Sequence, residues 1–172
     1  MRPFLIGRFQ PFHNGHMWLA RKIVEEYGSI IIGIGSAQES HTLVNPFTAG
    51  ERQYMIQRAM EANSIHDFYL VPIEDLYRNS LWVSHIVSLT PPFDIAISAN
   101  PLVKRLFMEA GKNVLEPEMK SRRLYSGREI RRKIIKGEKW DDLVPEQVYK
   151  VILEIDGVKR LQDLSKTDEV NK

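Results

Sequence analysis

The chain has 172 residues, 43% of them hydrophobic and 27% charged, which is typical of a single globular domain with a full core. Its formal net charge of +2 does not favour nucleic acid as a partner, and the absence of cysteine excludes disulfides, thiolate metal sites and cysteine nucleophiles. The N-terminal sequence lacks a signal-peptide pattern and no apolar run could span a membrane, so we expect a cytoplasmic protein without membrane partners.

Apolar runs alternate with segments of helical periodicity along the chain. The runs predict strands at residues 4–6, 30–34, 68–71, 95–97 and 114–115. The periodic segments predict helices at residues 17–27, about 48–62, 82–89, 100–111, 126–137, 145–155 and 158–164. This order predicts an α/β fold, a Rossmann-like doubly wound parallel sheet with C-terminal helices. We expect one domain over residues 1–165 and a frayed, polar tail over 166–172.

Three of the predicted helices carry recognisable start signals. Thr48 and Glu51 have the spacing of a capping box, and Ser126 and Glu129 repeat it. Asn100 precedes a proline, the arrangement of an N-cap followed by proline at the first helical position. These signals predict where the second, fourth and fifth helices begin.

The most informative segment joins the first strand to the first helix and reads GRFQPFHNGH, residues 7–16. Gly7 and Arg8 end the strand, and His13 and His16 bracket the start of the helix. Two imidazoles and an arginine thus converge where backbone N–H groups and the helix dipole already favour anions. Since ligands of parallel sheets bind beyond the carboxyl ends of strands, the segment predicts a nucleotide-phosphate site.

The histidine pair is also compatible with a surface location or with metal binding. Two histidines three residues apart near a helix start are often surface residues without a function. An H-x-x-H pair can also bind zinc, but cysteine is absent and no third ligand lies nearby in the sequence. The position of the pair directly after a strand and a G-R-F-Q-P-F loop favours the phosphate interpretation.

A second basic segment opens the fifth predicted helix. Ser126, Arg128 and Arg131 stand at its start, where a hydroxyl and two guanidinium groups can add donors to a phosphate held by backbone N–H groups. The other cations here are Arg123, Arg132, Lys133 and Lys136, of which the last three are better explained as a solvated basic face.

RNA binding and dinucleotide binding of the dehydrogenase type are less well supported. Aromatic residues interleave the basic segment poorly and the net charge is low, which favours a nucleotide over RNA. The chain contains no G-x-G-x-x-G, so a dehydrogenase-type cofactor site is not predicted.

Taken together, the early H-x-G-H and the late S-G-R-E-I-R resemble the signature of a nucleotidyltransferase superfamily. Four longer segments resemble the archaeal nicotinamide-nucleotide adenylyltransferases, nearly from end to end: GRFQPFHNGH, IGSAQESHTLVNPFTAGER, NSLWVSHIVSLTPPFD and SANPLV. The resemblance implies the reaction of nicotinamide mononucleotide (NMN) with ATP to give NAD and pyrophosphate. It also implies dependence on Mg²⁺ and a homo-oligomer, commonly a hexamer.

The chain departs from the family pattern at two positions. The late motif of the family usually reads S-G-T-E-I-R, whereas position 128 here is arginine. Val44 lies in the loop of residues 40–47, at a place where some relatives carry a cation. The roles of Arg128 and of this loop toward phosphates therefore stay open, as does that of His41.

The residues suggest a mechanism that depends on position and charge. His13 and His16 would donate hydrogen bonds to ATP phosphates, while Arg8 and Arg131 would clamp the phosphates and stabilise the transition state and the leaving group. No metal-binding acidic cluster is evident, so Mg²⁺ would be carried by the ATP phosphates. The other residues predicted to contact ATP are Gly7, Gly35, Ser36, Asn100, Ser126 and Arg128.

For the nicotinamide end, the resemblance nominates Trp82 for stacking on the ring and Asn79 for the carboxamide. Trp82 could instead be a core or subunit-contact residue, and the polar Asn79-Ser80 pair before it favours stacking. Trp18 and Trp140 lack such polar companions and are predicted to be structural.

Two other functions compete with this prediction. A sister transferase of the same chemistry would act on pantetheine phosphate, FMN or a cytidylyl donor, and Asn79 with Trp82 favours nicotinamide. A nucleotide-sensing module without turnover is the alternative from another class, and the intact His13, His16 and Arg131 argue against it.

Overall fold

The computed structural model describes residues 1–118 and 125–170, without the side chains of 167–170. It contains five strands: β1 (Pro3–Gly7), β2 (Ile30–Ile34), β3 (Phe68–Pro72), β4 (Ile95–Ile97) and β5 (Asn113–Leu115). The helices are α1 (Asn14–Tyr27), α2 (Ala49–Ala62), α3 (Asn79–Leu89), α4 (Pro101–Glu109), α5 (Gly127–Lys136), α6 (Glu146–Glu154) and α7 (Gly157–Val170).

The five strands form one sheet in the order β3-β2-β1-β4-β5, and every pair of neighbours is parallel. Leu5 in the central strand lies opposite Ile32 on one side and Ile97 on the other. The chain builds outward through β2 and β3 and then crosses to the other side of β1. The carboxyl ends of β1 and β4 are therefore the point where the strand order reverses, and such a point is where open α/β sheets bind ligands.

Helices cover both faces of the sheet, which confirms the predicted doubly wound architecture. Side chains of one strand alternate between the faces, so Leu5 and Ile32 lie in one core and Phe4 and Ile31 in the other. The first core packs under α1, α2, α5, α6 and α7, and the second under α3 and α4. All five residues of β2 are buried, as a continuous β-branched run predicts.

Most helix starts follow their predicted signals. Thr48 and Glu51 form a complete capping box at α2, and the Asn100 carboxamide oxygen accepts hydrogen bonds from the Leu102 and Val103 N–H groups at α4. The box predicted at α5 is half formed: the Ser126 hydroxyl accepts from the Glu129 N–H, while the Glu129 carboxylate pairs with Arg132 instead.

Two helices begin three residues earlier than predicted, and one is longer. Helix α1 starts at Asn14 because His13 caps it, and α3 starts at Asn79, so this residue lies in a helix and not in the loop before it. Helix α7 continues to Val170. The division into a domain of residues 1–165 and a tail of 166–172 stays a prediction. None of the helices in residues 1–118 and 125–170 is both long and apolar enough for a membrane span.

Candidate active site

A cleft of about 270 Å³ lies at the carboxyl end of β1, where it meets the N-termini of α1 and α5. Six of the predicted site residues line it: Arg8, His13, His16, Ser126, Arg128 and Arg131. The fold thus joins the two motif segments, which are more than a hundred residues apart in the sequence. Gly127 makes this approach possible, because a Cβ there would lie 2.8 Å from the carbonyl oxygen of Gln10.

A larger cleft of about 440 Å³ lies between α1, the end of α2 and the start of α6. Its charged lining residues are one arginine, Arg21, and one glutamate, Glu146. A triphosphate needs an excess of positive charge, so the smaller cleft with three arginines and two histidines is the better candidate for the nucleotide site.

His13 and His16 cap the start of α1 by a reciprocal pair of hydrogen bonds. The His13 Nδ1 accepts the backbone N–H of His16, and the His16 Nδ1 accepts the backbone N–H of His13, both at 3.3 Å. The two rings are stacked, with centroids 3.5 Å apart. Each Nδ1 is an acceptor and therefore carries no proton, so the proton of each neutral ring is on Nε2.

Burial keeps both imidazoles neutral. It lowers the pKa of His13 to about 4. It also lowers the pKa of His16, and the neighbouring His13 lowers that pKa further. His13 is only 4% exposed, whereas His16 is half-buried against the rings of Phe9 and Phe12. The pair can therefore present two neutral Nε2–H donors to an oxygen ligand without carrying charge itself.

Arg131 extends from α5 across the cleft to two loops. Its Nε donates to the Leu43 carbonyl at 2.8 Å and its Nη1 to the Gln10 carbonyl at 2.6 Å. Burial and then the neighbouring cations Arg8 and Arg128 lower the pKa of Arg131 to about 10, so it remains charged at neutral pH. Its Nη2 makes no hydrogen bond to any described residue and is left for a ligand.

Two other cations of α5, Arg132 and Lys133, pair with glutamates, whereas Arg128 does not. Arg132 pairs with Glu129 at 2.7 Å and with Glu138 at 2.8 Å, and Lys133 lies 3.6 Å from Glu138. These two cations are neutralised on the surface and do not form an anion site. Arg128 is exposed and lines the cleft, while Arg123 lies outside the described residues.

The glycine and serine residues predicted at the strand ends lie side by side. The Gly35 N–H donates to the Gly7 carbonyl at 2.9 Å, which fastens the end of β2 to that of β1. Ser36 follows with a φ of 49° and is largely buried. Asn100, after the end of β4, uses its carboxamide oxygen to cap α4, and its side-chain nitrogen makes no hydrogen bond to a described residue.

The residues predicted for the nicotinamide end do not line this cleft. Asn79 is exposed at the start of α3, which follows β3. Trp82 is half-buried and makes a T-shaped contact with Phe107, with ring centroids 5.5 Å apart and an interplanar angle of 66°. The indole is therefore partly packed against the second core, as the alternative of a core residue would require.

The loop of residues 40–47 is exposed over its first half and anchored over its second. His41 is exposed and contacts the Ser40 hydroxyl, and Val44 is 50% exposed. Phe47 is buried and exchanges two hydrogen bonds with the Gln10 side chain, at 2.9 and 3.0 Å. Gln10 could not be predicted as a contact residue from the sequence, because glutamine in a loop carries no signal of a partner 37 residues away.

Arg52 was also missed. This arginine is fully buried behind the ends of β1 and β2 and donates to backbone carbonyls of Arg8, Gly35 and Ser36. Its place in α2, one residue after the capping Glu51, gave no reason to expect that this charged side chain is buried.

Metal ligation is not indicated: within the described ranges, no three His, Cys, Asp or Glu side chains cluster as a metal site requires.

Comparison with known proteins agrees with this geometry. Residues 4–133 match the cytidylyltransferase-like family. The curated nicotinamide-nucleotide adenylyltransferase of Picrophilus torridus is 57% identical over 98% of this chain and 100% of its own length. The enzymes of the same name from Thermoplasma acidophilum and Archaeoglobus fulgidus are 58% and 53% identical, also over 98% of this chain, and they are covered over 94% and 99%.

The fold also matches a solved structure, a bifunctional NMN adenylyltransferase/ADP ribose pyrophosphatase from Francisella tularensis in complex with AMP and a manganese ion. The TM-score is 0.82 at 20% identity, over 98% of this chain. This chain spans about half of that protein, 53%, so the likeness concerns the fold of that part alone. On the sequence matches, the chain belongs to the nicotinamide-nucleotide adenylyltransferases of the cytidylyltransferase-like family.

Proposed function

We propose that this chain transfers AMP from ATP to NMN, forming NAD and pyrophosphate. The observation that supports this most is the cleft in which the histidine pair of α1 faces Arg131 of α5. The site gathers neutral donors and guanidinium groups with no carboxylate among its lining residues, which suits a triphosphate. The near full-length relatives named for this reaction support the choice of substrates.

The chemistry needs positioning more than acid–base catalysis. An oxygen of the NMN phosphate attacks the α-phosphorus of ATP, a new P–O bond forms, and the bond to the β-phosphate oxygen breaks. A phosphate monoester has a second pKa of about 6, so the attacking group is already ionised at neutral pH. A general base is therefore unnecessary, and the cleft indeed lacks a carboxylate among the described residues.

The protein's part is to hold the phosphates and to offset the charge that moves to pyrophosphate. His13 and His16 donate from Nε2 to phosphate oxygens, and Arg8 and Arg131 bind the phosphates and stabilise the leaving group. Ser126 and the first N–H groups of α5 hold the β- or γ-phosphate. Gly7, Gly35, Ser36 and Asn100 contact the ribose or adenine, and Arg128 adds charge at the rim.

The metal belongs to the substrate in this proposal. The cleft residues include three arginines and no carboxylate, so they are unsuited to holding a divalent cation themselves. Mg²⁺ enters bound to the ATP phosphates and is otherwise coordinated by water. This choice of metal, like the homo-oligomer or hexamer and the cytoplasmic location, remains a proposal.

The nicotinamide end is assigned to the start of α3. Trp82 is held by a T-shaped contact with Phe107, and a ring so held can stack on nicotinamide with little loss of side-chain entropy. Asn79 lies one turn earlier on the same helix, so both side chains project on the same side of α3. Its carboxamide is the natural partner of the nicotinamide carboxamide.

The decisive experiment is product formation by the purified chain with a panel of substrates. NMN, FMN and pantetheine phosphate are each offered with ATP and with CTP, and the products are separated by chromatography. We expect NAD from NMN and ATP at a rate far above the other combinations. A preference for another acceptor would support the sister transferase, and nucleotide binding without any product would support the sensing module.

A further inference from the structure

Arg52 is the largest charged side chain that the fold buries completely. It leaves α2 toward the sheet and donates to four backbone carbonyls, those of Thr48 at 3.2 Å, Arg8 at 2.9 Å, Gly35 at 2.7 Å and Ser36 at 3.0 Å. Three of these carbonyls belong to the loops that follow β1 and β2. Arg52 thus fastens two strand-end loops to each other from behind the cleft.

These contacts satisfy hydrogen bonds but do not neutralise the charge. Arg52 makes no ion pair within 4 Å to a carboxylate of the described residues. The carboxylate of its neighbour Glu51 is turned away and binds Arg160 through two contacts of 2.7 Å. Asp75 acts on Arg52 only at longer range, and its side chain contacts Gln38.

Arg8 is the charged group with the largest effect on Arg52, and it is another cation. Burial first and then Arg8 lower the pKa of Arg52 to about 10, so the guanidinium is still protonated at neutral pH. Arg8 likewise acts on Arg131. Three arginines, Arg8, Arg52 and Arg131, therefore lie near the carboxyl ends of the strands. Asp75 and Glu51 offset part of the repulsion at Arg52, but neither forms an ion pair with it.

A buried cation without a direct ion pair is unfavourable, and carbonyls alone could be satisfied by neutral donors. We propose that Arg52 is a positioning residue of the polyphosphate site, whose counter-charge is the bound phosphate chain itself. The anion does not touch Arg52 but lies across the Arg8 loop, which Arg52 holds in place. This inference rests on the proposed function in so far as the ligand is a nucleotide polyphosphate.

The test measures pyrophosphate binding by calorimetry at pH 6.5, which requires no turnover. Arg52→Gln removes the charge and keeps some hydrogen bonds, whereas Arg52→Lys keeps the charge and loses the planar fork. The matched control is Arg58→Gln, an exposed arginine on the same helix that lies over the Tyr54 ring.

We expect Arg52→Gln to weaken pyrophosphate binding by about tenfold or more and to reduce the rise in Tm that pyrophosphate causes. The pyrophosphate affinity of Arg52→Lys should stay within about threefold of that of the unmodified chain, and Arg58→Gln should have the affinity of the unmodified chain. A folded Arg52→Gln with unchanged affinity and Tm shift would overturn the inference and leave Arg52 a structural residue.

Three further results remain to be distinguished. If Arg52→Gln does not fold, Arg52→Lys decides: retained pyrophosphate affinity supports the role of charge, and a folded variant that has lost it contradicts that role. If the unmodified chain binds neither pyrophosphate nor ATP, the proposed function fails along with this inference. If it binds both, and Arg52→Gln binds pyrophosphate as tightly as the unmodified chain does, this inference alone fails.

Discussion

His13 and His16 hold each other in place, because each ring accepts the other residue's backbone N–H through Nδ1. A capping box normally combines serine or threonine with glutamate or glutamine, whereas here two imidazoles perform both parts. The arrangement fixes the tautomer of both rings and the start of α1 at once. One pair of side chains therefore links the stability of the first helix to the orientation of two candidate phosphate donors.

The first prediction concerns the donor from His16. His16→Ala should lower kcat by roughly 10²–10³, the usual effect of losing one transition-state donor, while ATP affinity changes little. The ring contacts with Phe9 and Phe12 are lost as well, so the rates are compared under conditions where circular dichroism shows the variant folded. A folded variant with a near-normal kcat would make His16 a structural histidine.

The second prediction concerns stability at mildly acidic pH. The pKa of His13 is about 4 in the folded chain against an ordinary value of 6.5 for an unfolded chain, so only the unfolded chain takes up the proton as pH falls from 6.5 toward 4. The stability that His13 contributes is complete above pH 6.5 and is lost through this window. The loss is about 3 kcal/mol of unfolding free energy, to which His16 adds in the same direction.

Urea unfolding at pH values between 7 and 4.5 measures this loss. Glu51 and Glu138, whose pKa values are lowered by their cationic partners, lose their contributions only at lower pH. His13→Asn keeps a good N-cap and should flatten the curve, whereas His66→Asn, at an exposed histidine, should leave it unchanged. Unfolding free energy that is constant from pH 7 to 5 in the unmodified chain would contradict the burial argument.

Local sequence signals were sufficient for most of the fold, and six of the residues predicted from them line one cleft. The β-branched run of β2, the Thr48 capping box and the Asn100-Pro101 pair each act within a few residues, so a single sequence reveals them. The start of α1 was placed three residues late because histidine is not among the usual N-cap residues.

Long-range partnerships were not predictable. The Gln10 side chain meets Phe47, and Arg52 meets Arg8, only after β1, β2 and α2 have packed together. No spacing rule for glutamine or arginine predicts such a contact, because the contact depends on the path of the chain between the two contacting residues. The half-formed box at Ser126 has a local cause instead: Arg132, three residues further along α5, competes for the Glu129 carboxylate.

The third prediction tests the Gln10 contact. Gln10→Leu leaves the buried N–H and C=O of Phe47 without their hydrogen bonds, which should lower the unfolding free energy by about 2 kcal/mol or more. Gln57→Leu, at an exposed glutamine that pairs with Glu61 along α2, should change it by less than about 0.5 kcal/mol. Equal effects of the two substitutions in urea unfolding would show that the Phe47 contact is not a stabilising one.

The fourth prediction concerns the nicotinamide end. Trp82→Ala should raise KM for NMN much more than KM for ATP, since stacking on an aromatic side chain is worth about 1–3 kcal/mol. Trp82→Phe keeps a ring against Phe107 and should recover part of the NMN affinity. Equal weakening of both substrates, or a loss of folding before any loss of NMN affinity, would assign Trp82 to the core instead.

The last prediction separates the two arginines at the start of α5. Arg131 is half-buried, lines the cleft and joins the Gln10 and Leu43 loops, whereas Arg128 is exposed and makes no hydrogen bond to the described residues. Arg131→Ala should therefore severely lower kcat/KM, and Arg131→Lys should also lose much of it, because an ammonium group cannot bridge two carbonyls and a phosphate with one planar fork. Arg128→Thr restores the hydroxyl usual in the family and should stay active. Steady-state kinetics of the three variants measure the contrast, and an inactive Arg128→Thr beside a healthy Arg131→Ala would reverse the two roles.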